Sequence, residues 1–218
     1  MTLALFDLDH TLIDGDSEVL WGEFLGERGW IEPLEYRREA LRFFDLYKSG
    51  RLNMNEFLDF QLHFLSLHPM ETLLALRAEF VRDKIEPILL PKALAVVADH
   101  RRRAHTTIIV TASSRFITEP LAALYGVDHL IATEPEILGG RYTGRATGIP
   151  SYAAGKVTRL EQWMEQHGGT LAGSWFYSDS HNDLPLLRRV ENPVAVHPDP
   201  LLAAEAAERG WQVISFTD

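Results

Sequence analysis

The chain contains no cysteine. That excludes a disulfide framework, a thiolate nucleophile and any cysteine-ligated metal, and it fits a reducing compartment. Long apolar runs are missing too: no uninterrupted stretch approaches the ~18 residues a membrane-spanning helix needs. Positive charge is scarce, with 21 Lys and Arg against 31 Asp and Glu and a net charge of −10. A general binder of nucleic-acid phosphates needs a broad basic surface, so neither nucleic acid nor membrane is an expected partner. The single basic run, Arg101 to Arg103, reads as a solvated helix end. No basic segment precedes the first apolar one, and Asp7 interrupts it too early for a secretion signal, so a cytoplasmic protein is expected. Repeats and low-complexity segments are absent, and no pattern specifies an oligomeric state.

What is present is a chain of 218 residues, enough for one sizeable domain or a domain with an insert. Residues 3–8 read as a short buried strand. From Ser17 to Ala98 apolar residues recur at three- and four-residue spacing, as in "VLWGEFL" and "NEFLDFQLHFL". Pro33, Ser49–Gly50 and His68–Pro69 divide that stretch into about four helices. After Arg103 strands and helices alternate: "TTIIVTA", "HLIAT", "SWFYSD", "PVAVH" and "WQVISF" read as strands, and "ILGGRYTGRATG" as a β-hairpin. Such alternation specifies a Rossmann-like parallel sheet. The expected division is an α/β core from residues 1–16 and 99–218, with a helical cap over 17–98 inserted after the first strand.

Ligands of parallel α/β sheets sit at the carboxyl ends of the strands. The first strand delivers Asp7 and Asp9 there, and the second delivers Thr111, Ala112, Ser113 and Ser114. "SWFYSDSHND" delivers Asp179 and Asp183, while Lys156 opens the helix before it. Crowded carboxylates repel one another and cost several kcal/mol to bury, which makes the set odd unless a cation accompanies it. Mg²⁺ takes one or two protein carboxylates with waters and phosphate oxygens. A carboxylate can then serve as a nucleophile, and lysine and hydroxyl groups can hold phosphoryl oxygens. Each residue alone has an ordinary reading: an Asp as a helix cap, "DGD" (Asp14 and Asp16) as a turn, a lysine in solvent. The ordered set does not.

"FDLDHT", "VTASS", Lys156 and "YSDSHND" match in order the four motifs of the haloacid dehalogenase superfamily. The chain most resembles its Mg²⁺-dependent phosphatases of the phosphoserine phosphatase type, whose helical cap follows the first motif. The resemblance implies a phosphomonoester hydrolase working through an aspartyl phosphate on a small phosphorylated metabolite. It implies Asp7 as nucleophile and metal ligand, and Asp9 as general acid and base, reaching the metal through its carbonyl. Thr111, Ala112, Lys156 and Asn182 would bind phosphate, Asp179 would bind metal, and Asp183 would support the metal site. Phosphoserine phosphatases carry an acidic residue nine positions beyond the nucleophile for the substrate amine, and Asp16 stands there. Aligning "GRLNMNEFLDF" puts Asp59 where they use an arginine for the substrate carboxylate. Asp59 would repel a carboxylate, so an amine-bearing phosphate without one, histidinol phosphate or a phosphoamine, is expected ahead of phosphoserine. The same motifs serve phosphotransferases with an alcohol acceptor, and non-catalytic binding proteins share the fold.

Overall fold

In the computed structural model the described residues are 1–48, 51 and 53–217. Ser49, Gly50 and Leu52, on which part of the cap reading rested, lie outside them. Seven strands form one sheet in the order β4-β3-β2-β1-β5-β6-β7. They are β1 (Leu3–Phe6), β2 (Thr106–Ser114), β3 (His129–Leu138), β4 (Arg141–Thr147), β5 (Trp175–Ser178), β6 (Asn192–Val196) and β7 (Gln212–Ile214). All neighbours are parallel except β3 and β4. This is the α/β architecture expected from the alternation. The hairpin differs in extent: β3 runs unbroken from His129 and β4 folds back on its far half, Leu138 facing Arg141.

β1 is central because it is apolar on both faces. Leu3 and Leu5 join one core with Ile108, Val110, Phe176 and Leu160. Ala4 and Phe6 join the other with Ile109, Tyr177 and the aromatic residues of the helical insert. Period-two alternation thus sends adjacent residues into opposite layers, and a strand buried twice over must be continuously hydrophobic.

The insert contains α1 (Ser17–Glu27), α2 (Pro33–Lys48), α3 (Met54–Leu67) and α4 (Met70–Phe80), followed by a π-helical turn, Val81–Ile85. α5 (Pro91–Arg102) then returns to the sheet. The outgoing and returning chains touch, since Ile13 bridges Leu89 and Asp14 N–H donates to the Ile88 carbonyl at 3.0 Å. The expected boundary at 98–99 therefore falls inside α5, whose Ala93 and Val97 are buried in the same core as β1. Helical periodicity is the same on both sides of the crossing, so spacing alone does not reveal where the chain returns.

Trp21 of α1 ties the insert to the sheet layer. Its ring stacks on Phe24 and meets Phe80 edge-on at 5.2 Å and Phe116 at 5.6 Å. Phe116 lies in α6 (Arg115–Tyr125), directly after β2. Trp21→Ala would open a cavity among these rings and should cost about 3–5 kcal/mol, read as a lower midpoint in urea unfolding. A loss below about 1 kcal/mol would mean that the cluster does not couple the two layers.

Candidate active site

β1 and β5 end level with each other. Phe6 pairs with Tyr177, and Asp7 N–H donates to the Tyr177 carbonyl at 2.9 Å. Asp7 and Asp179 therefore leave adjacent strands side by side. Thr111 sits on the other flank in β2, because Phe6 is level with Ile109. Lys156 arrives on α7 (Ala154–His167), whose start is held by a close approach. A Cβ on Gly155 would stand 2.1 Å from the Pro150 carbonyl oxygen, so no other residue fits there without shifting the helix.

The Lys156 ammonium is 3% exposed and donates to Asp7 Oδ1 and Asp183 Oδ2, both at 2.8 Å. Burial alone would push its pKa down, but Asp183 and Asp7 together outweigh burial and hold the lysine charged. Asp183 also accepts from Ser178 Oγ at 2.7 Å. Burial, opposed by Lys156, raises the Asp183 carboxyl to about 6, still ionised at neutral pH.

Asp179 has no lysine. Burial first, then the charges of Asp7 and Asp183, raise it to about 8. Thr11 fixes it from two directions, its hydroxyl donating to Asp179 Oδ1 at 3.2 Å and accepting the Asp179 N–H at 3.1 Å. Asp9 is partly buried and accepts only from neutral donors, Ser17 N–H at 2.7 Å and Ser113 Oγ at 2.6 Å. Burial, with the Asp16 charge adding to it, raises the Asp9 carboxyl above its usual range.

Asp7, Asp9, Thr111, Lys156, Asp179 and Asp183 line one cavity of about 1130 Å³ between the sheet edge and helices α1 to α3. Ala112, Asn182 and Asp16 line it as well. Asn182 lies beside Tyr152, whose hydroxyl donates to its Oδ1 at 3.1 Å. Asp16 caps α1 by accepting the Val19 N–H at 2.9 Å. The structure gathers every expected site residue except Asp59, which is exposed on α3 and does not line the cavity. The helix turns its buried stripe, Leu58, Leu62 and Leu65, inward and leaves Asp59 on the outer face. The expectation that Asp59 faces the substrate is corrected accordingly.

Two contributors were not singled out from sequence. Thr11 stood inside the quoted "FDLDHT" without a role. Glu18 was given no reading, yet it is 7% exposed and lines the cavity. Its Oε1 accepts the Ser114 N–H at 2.8 Å, locking α1 to the end of β2. Its signal was local: Glu18 follows the Asp16 cap by two residues, in the turn that must face the strand ends.

Among the described residues, no three Asp, Glu or His side chains converge closely enough to bind a cation by themselves. The available set is two carboxylates, Asp7 and Asp179, with backbone carbonyls and open cavity. That suits Mg²⁺, which keeps waters and phosphate oxygens, better than Ca²⁺ with its six to eight ligands. Asp179 also pairs with no lysine or arginine among the described residues, so a cation in the cavity it lines would supply its counter-charge.

A doubly wound sheet with an aspartate pair, a hydroxyl, a buried lysine and further aspartates at its carboxyl edge defines a phosphatase-type α/β hydrolase. The chain belongs to the haloacid dehalogenase-like hydrolase family, whose profile matches residues 4–188. It is 40% identical over 218 residues to a histidinol-phosphatase of Neisseria meningitidis, covering 98% of both chains. Among solved structures, one from Bordetella pertussis Tohama I superposes with a TM-score of 0.93 at 45% identity, covering 98% of this chain and 99% of that one. A substrate-bound phosphoserine phosphatase shares the fold, with a TM-score of 0.69 at 19% identity over 98% and 92% of the chains. The protein is a phosphatase of this family, and no helix among the described residues is long and apolar enough to cross a membrane.

Glu18 makes a pH prediction. Burial first, with Asp16 and Asp9 adding to it, raises its carboxyl from 4.5 to about 7. A raised acid stabilises the fold while protonated, fully below the unfolded value, and that stability is lost as pH rises through the folded value. At 1.36 kcal/mol per unit, the loss reaches on the order of 3 kcal/mol. In EDTA, the Tm of Glu18→Gln should therefore gain on wild type by several degrees between about pH 5 and about pH 8. A constant gap in paired melts would show that Glu18 ionises freely.

Proposed function

We propose that this phosphatase is a Mg²⁺-dependent phosphomonoester hydrolase that works through an aspartyl phosphate on Asp7, with histidinol phosphate as substrate. The observation that carries the chemistry is the Lys156 ammonium shared by Asp7 and Asp183 at the carboxyl edge of the sheet. Lys156 occupies Asp7 Oδ1, which leaves Oδ2 to attack phosphorus while the bond from phosphorus to the substrate oxygen breaks. Asp9, whose carboxyl burial pushes above its usual range, acts as the acid that gives a proton to the leaving alkoxide. A water then attacks the phosphoryl group, Asp9 takes the proton, and free Asp7 and inorganic phosphate result. Thr111, Ala112, Lys156 and Asn182 orient the phosphoryl oxygens. Asp7, Asp179 and the Asp9 carbonyl, with Asp183 in support, would hold Mg²⁺, which would neutralise charge between nucleophile and phosphate. The helices between the paired crossings act as the cap that excludes water from the reaction.

The substrate assignment rests on the cap wall. Asp16, Glu18 and Glu23 of α1 make it acidic, and Arg37 of α2 lines it only from an exposed position. An amine without a carboxylate suits that wall better than phosphoserine does. The similarity to a histidinol-phosphatase supports the same choice.

Histidinol phosphate should be hydrolysed with a kcat/KM at least tenfold above that for phosphoserine. Turnover should vanish in EDTA and return with Mg²⁺ but poorly with Ca²⁺. Asp7→Asn should lower kcat by more than about a thousandfold with an unchanged Tm. Activity within about tenfold of wild type would refute Asp7 as nucleophile. Phosphate release matching substrate loss in the presence of an alcohol would exclude a phosphotransferase.

A further inference from the structure

The reaction at Asp7 uses one end of the cavity. The remainder is large, because a volume of about 1130 Å³ exceeds the usual range of ligand pockets, roughly 300–1,000 Å³. Four rings from α2 and α3 line this part: Tyr36, Phe43, Phe57 and Phe60. They form a continuous row. Tyr36 stacks on Phe60 at 5.1 Å and 27°, Phe60 meets Phe43 at 5.2 Å, and Phe43 meets Phe57 at 5.4 Å.

Glu18 stands where the aromatic row meets the phosphate end. Its Oε1 accepts the Ser114 N–H at 2.8 Å, and the carboxylate lines the cavity. Tyr36 faces the same spot, and its phenol is pushed to higher pKa by burial and then by the charges of Glu18 and Asp16. The Tyr36 ring is set by Gly22 of α1, where a Cβ would come within 2.1 Å of the ring. A bare backbone at Gly22 is thus what lets the phenol lie against α1, beside Glu18.

We propose that Glu18, Tyr36 and the aromatic row form a ring-recognition subsite for a flat nitrogen heterocycle of the imidazole class carried by the substrate. This rests on the reading of histidinol phosphate given above and deepens it. The Glu18 carboxylate accepts the ring N–H, and the aromatic faces pack against the ring and favour its cationic form. Glu18 titrates near the value of imidazole itself, about 6.5 in water. Acid with neutral ring, or carboxylate with imidazolium, therefore makes the same hydrogen-bonded pair. Asp16, nearer the reacting carbon chain, is left for the aliphatic amine.

The test is calorimetric titration with L-histidinol, which has the ring and the amine but no phosphate, beside ethanolamine, which has the amine alone. Wild type should bind L-histidinol measurably. Glu18→Gln and Gly22→Ala should each weaken that binding by roughly ten- to a hundredfold without changing the response to ethanolamine. Asp59→Asn, on the outer face of α3, should bind L-histidinol as wild type does. In kinetics, Glu18→Gln should raise KM for histidinol phosphate by roughly ten- to a hundredfold but for O-phosphoethanolamine by less than about threefold. Wild type failing to bind L-histidinol, or Glu18→Gln binding it within about twofold of wild type, would overturn the subsite. Equal penalties on both phosphates would reduce Glu18 to a clamp on Ser114. Turnover of histidinol phosphate by wild type is read separately, so failure of the substrate assignment is distinguishable from failure of the subsite.

Discussion

One ammonium group, buried between two carboxylates, fixes the geometry of the whole sheet edge. Lys156 lies 2.8 Å from both Asp7 and Asp183, which come from strands β1 and β5 by way of separate loops. Removing the lysine would leave two buried carboxylates facing each other, a larger penalty than the bridge's own net contribution. The sequence around it therefore tolerates awkward backbone. Ala153 sits at φ 48° and ψ −121°, a region L-residues rarely adopt, just before α7 begins. The bare Gly155 then lets that helix start against Pro150. Both features aim Lys156 at the strand ends.

The same edge carries more negative charge than Lys156 can balance. Among the described residues no lysine or arginine pairs with Asp179 or Asp9, and burial raises the pKa of both. The excess has a division of labour. Asp179 keeps an open face toward the cavity, where a divalent cation would draw its proton off. Asp9 has both oxygens occupied, one by α1 and one by β2, so its orientation is fixed. Because Ser17 supplies one of those donors and Glu18 grips Ser114, the first turn of α1 is bolted to the end of β2. Chemistry and substrate reading thus share one helix start.

The strand ends were legible in the sequence because two constraints coincide there. Buried strands must be apolar, so a carboxylate that ends one is conspicuous, and β1 and β5 each supply one. Parallel topology then forces those ends to one edge. The cap offered no comparable constraint. Asp59 was assigned by aligning a short helical segment, and its phase decided otherwise: Leu58, Leu62 and Leu65 claim the inner face. That stripe was present in "NEFLDFQLHFL", and weighing it would have placed Asp59 outside. Glu18 was invisible for the opposite reason. Acidic residues in a helix first turn are ordinary companions of the helix dipole, and only the loop geometry turns this one inward.

The contrast between Asp7 and Asp9 shows how two identical side chains, two residues apart, come to differ. Both leave the end of β1, but the turn at His10, with φ of 55°, sends the chain back toward α1 immediately after Asp9. Asp7 remains in line with the strand and meets the α7 lysine. Asp9 is carried under α1 and meets a backbone N–H and a hydroxyl, neutral donors that orient a carboxyl without cancelling the cost of ionising it. A nucleophile must present an ionised oxygen, and a general acid must still hold its proton when the leaving group departs. In the proposed mechanism that difference comes from one turn of backbone, and the reach of Lys156 decides which of the two aspartates receives the cation.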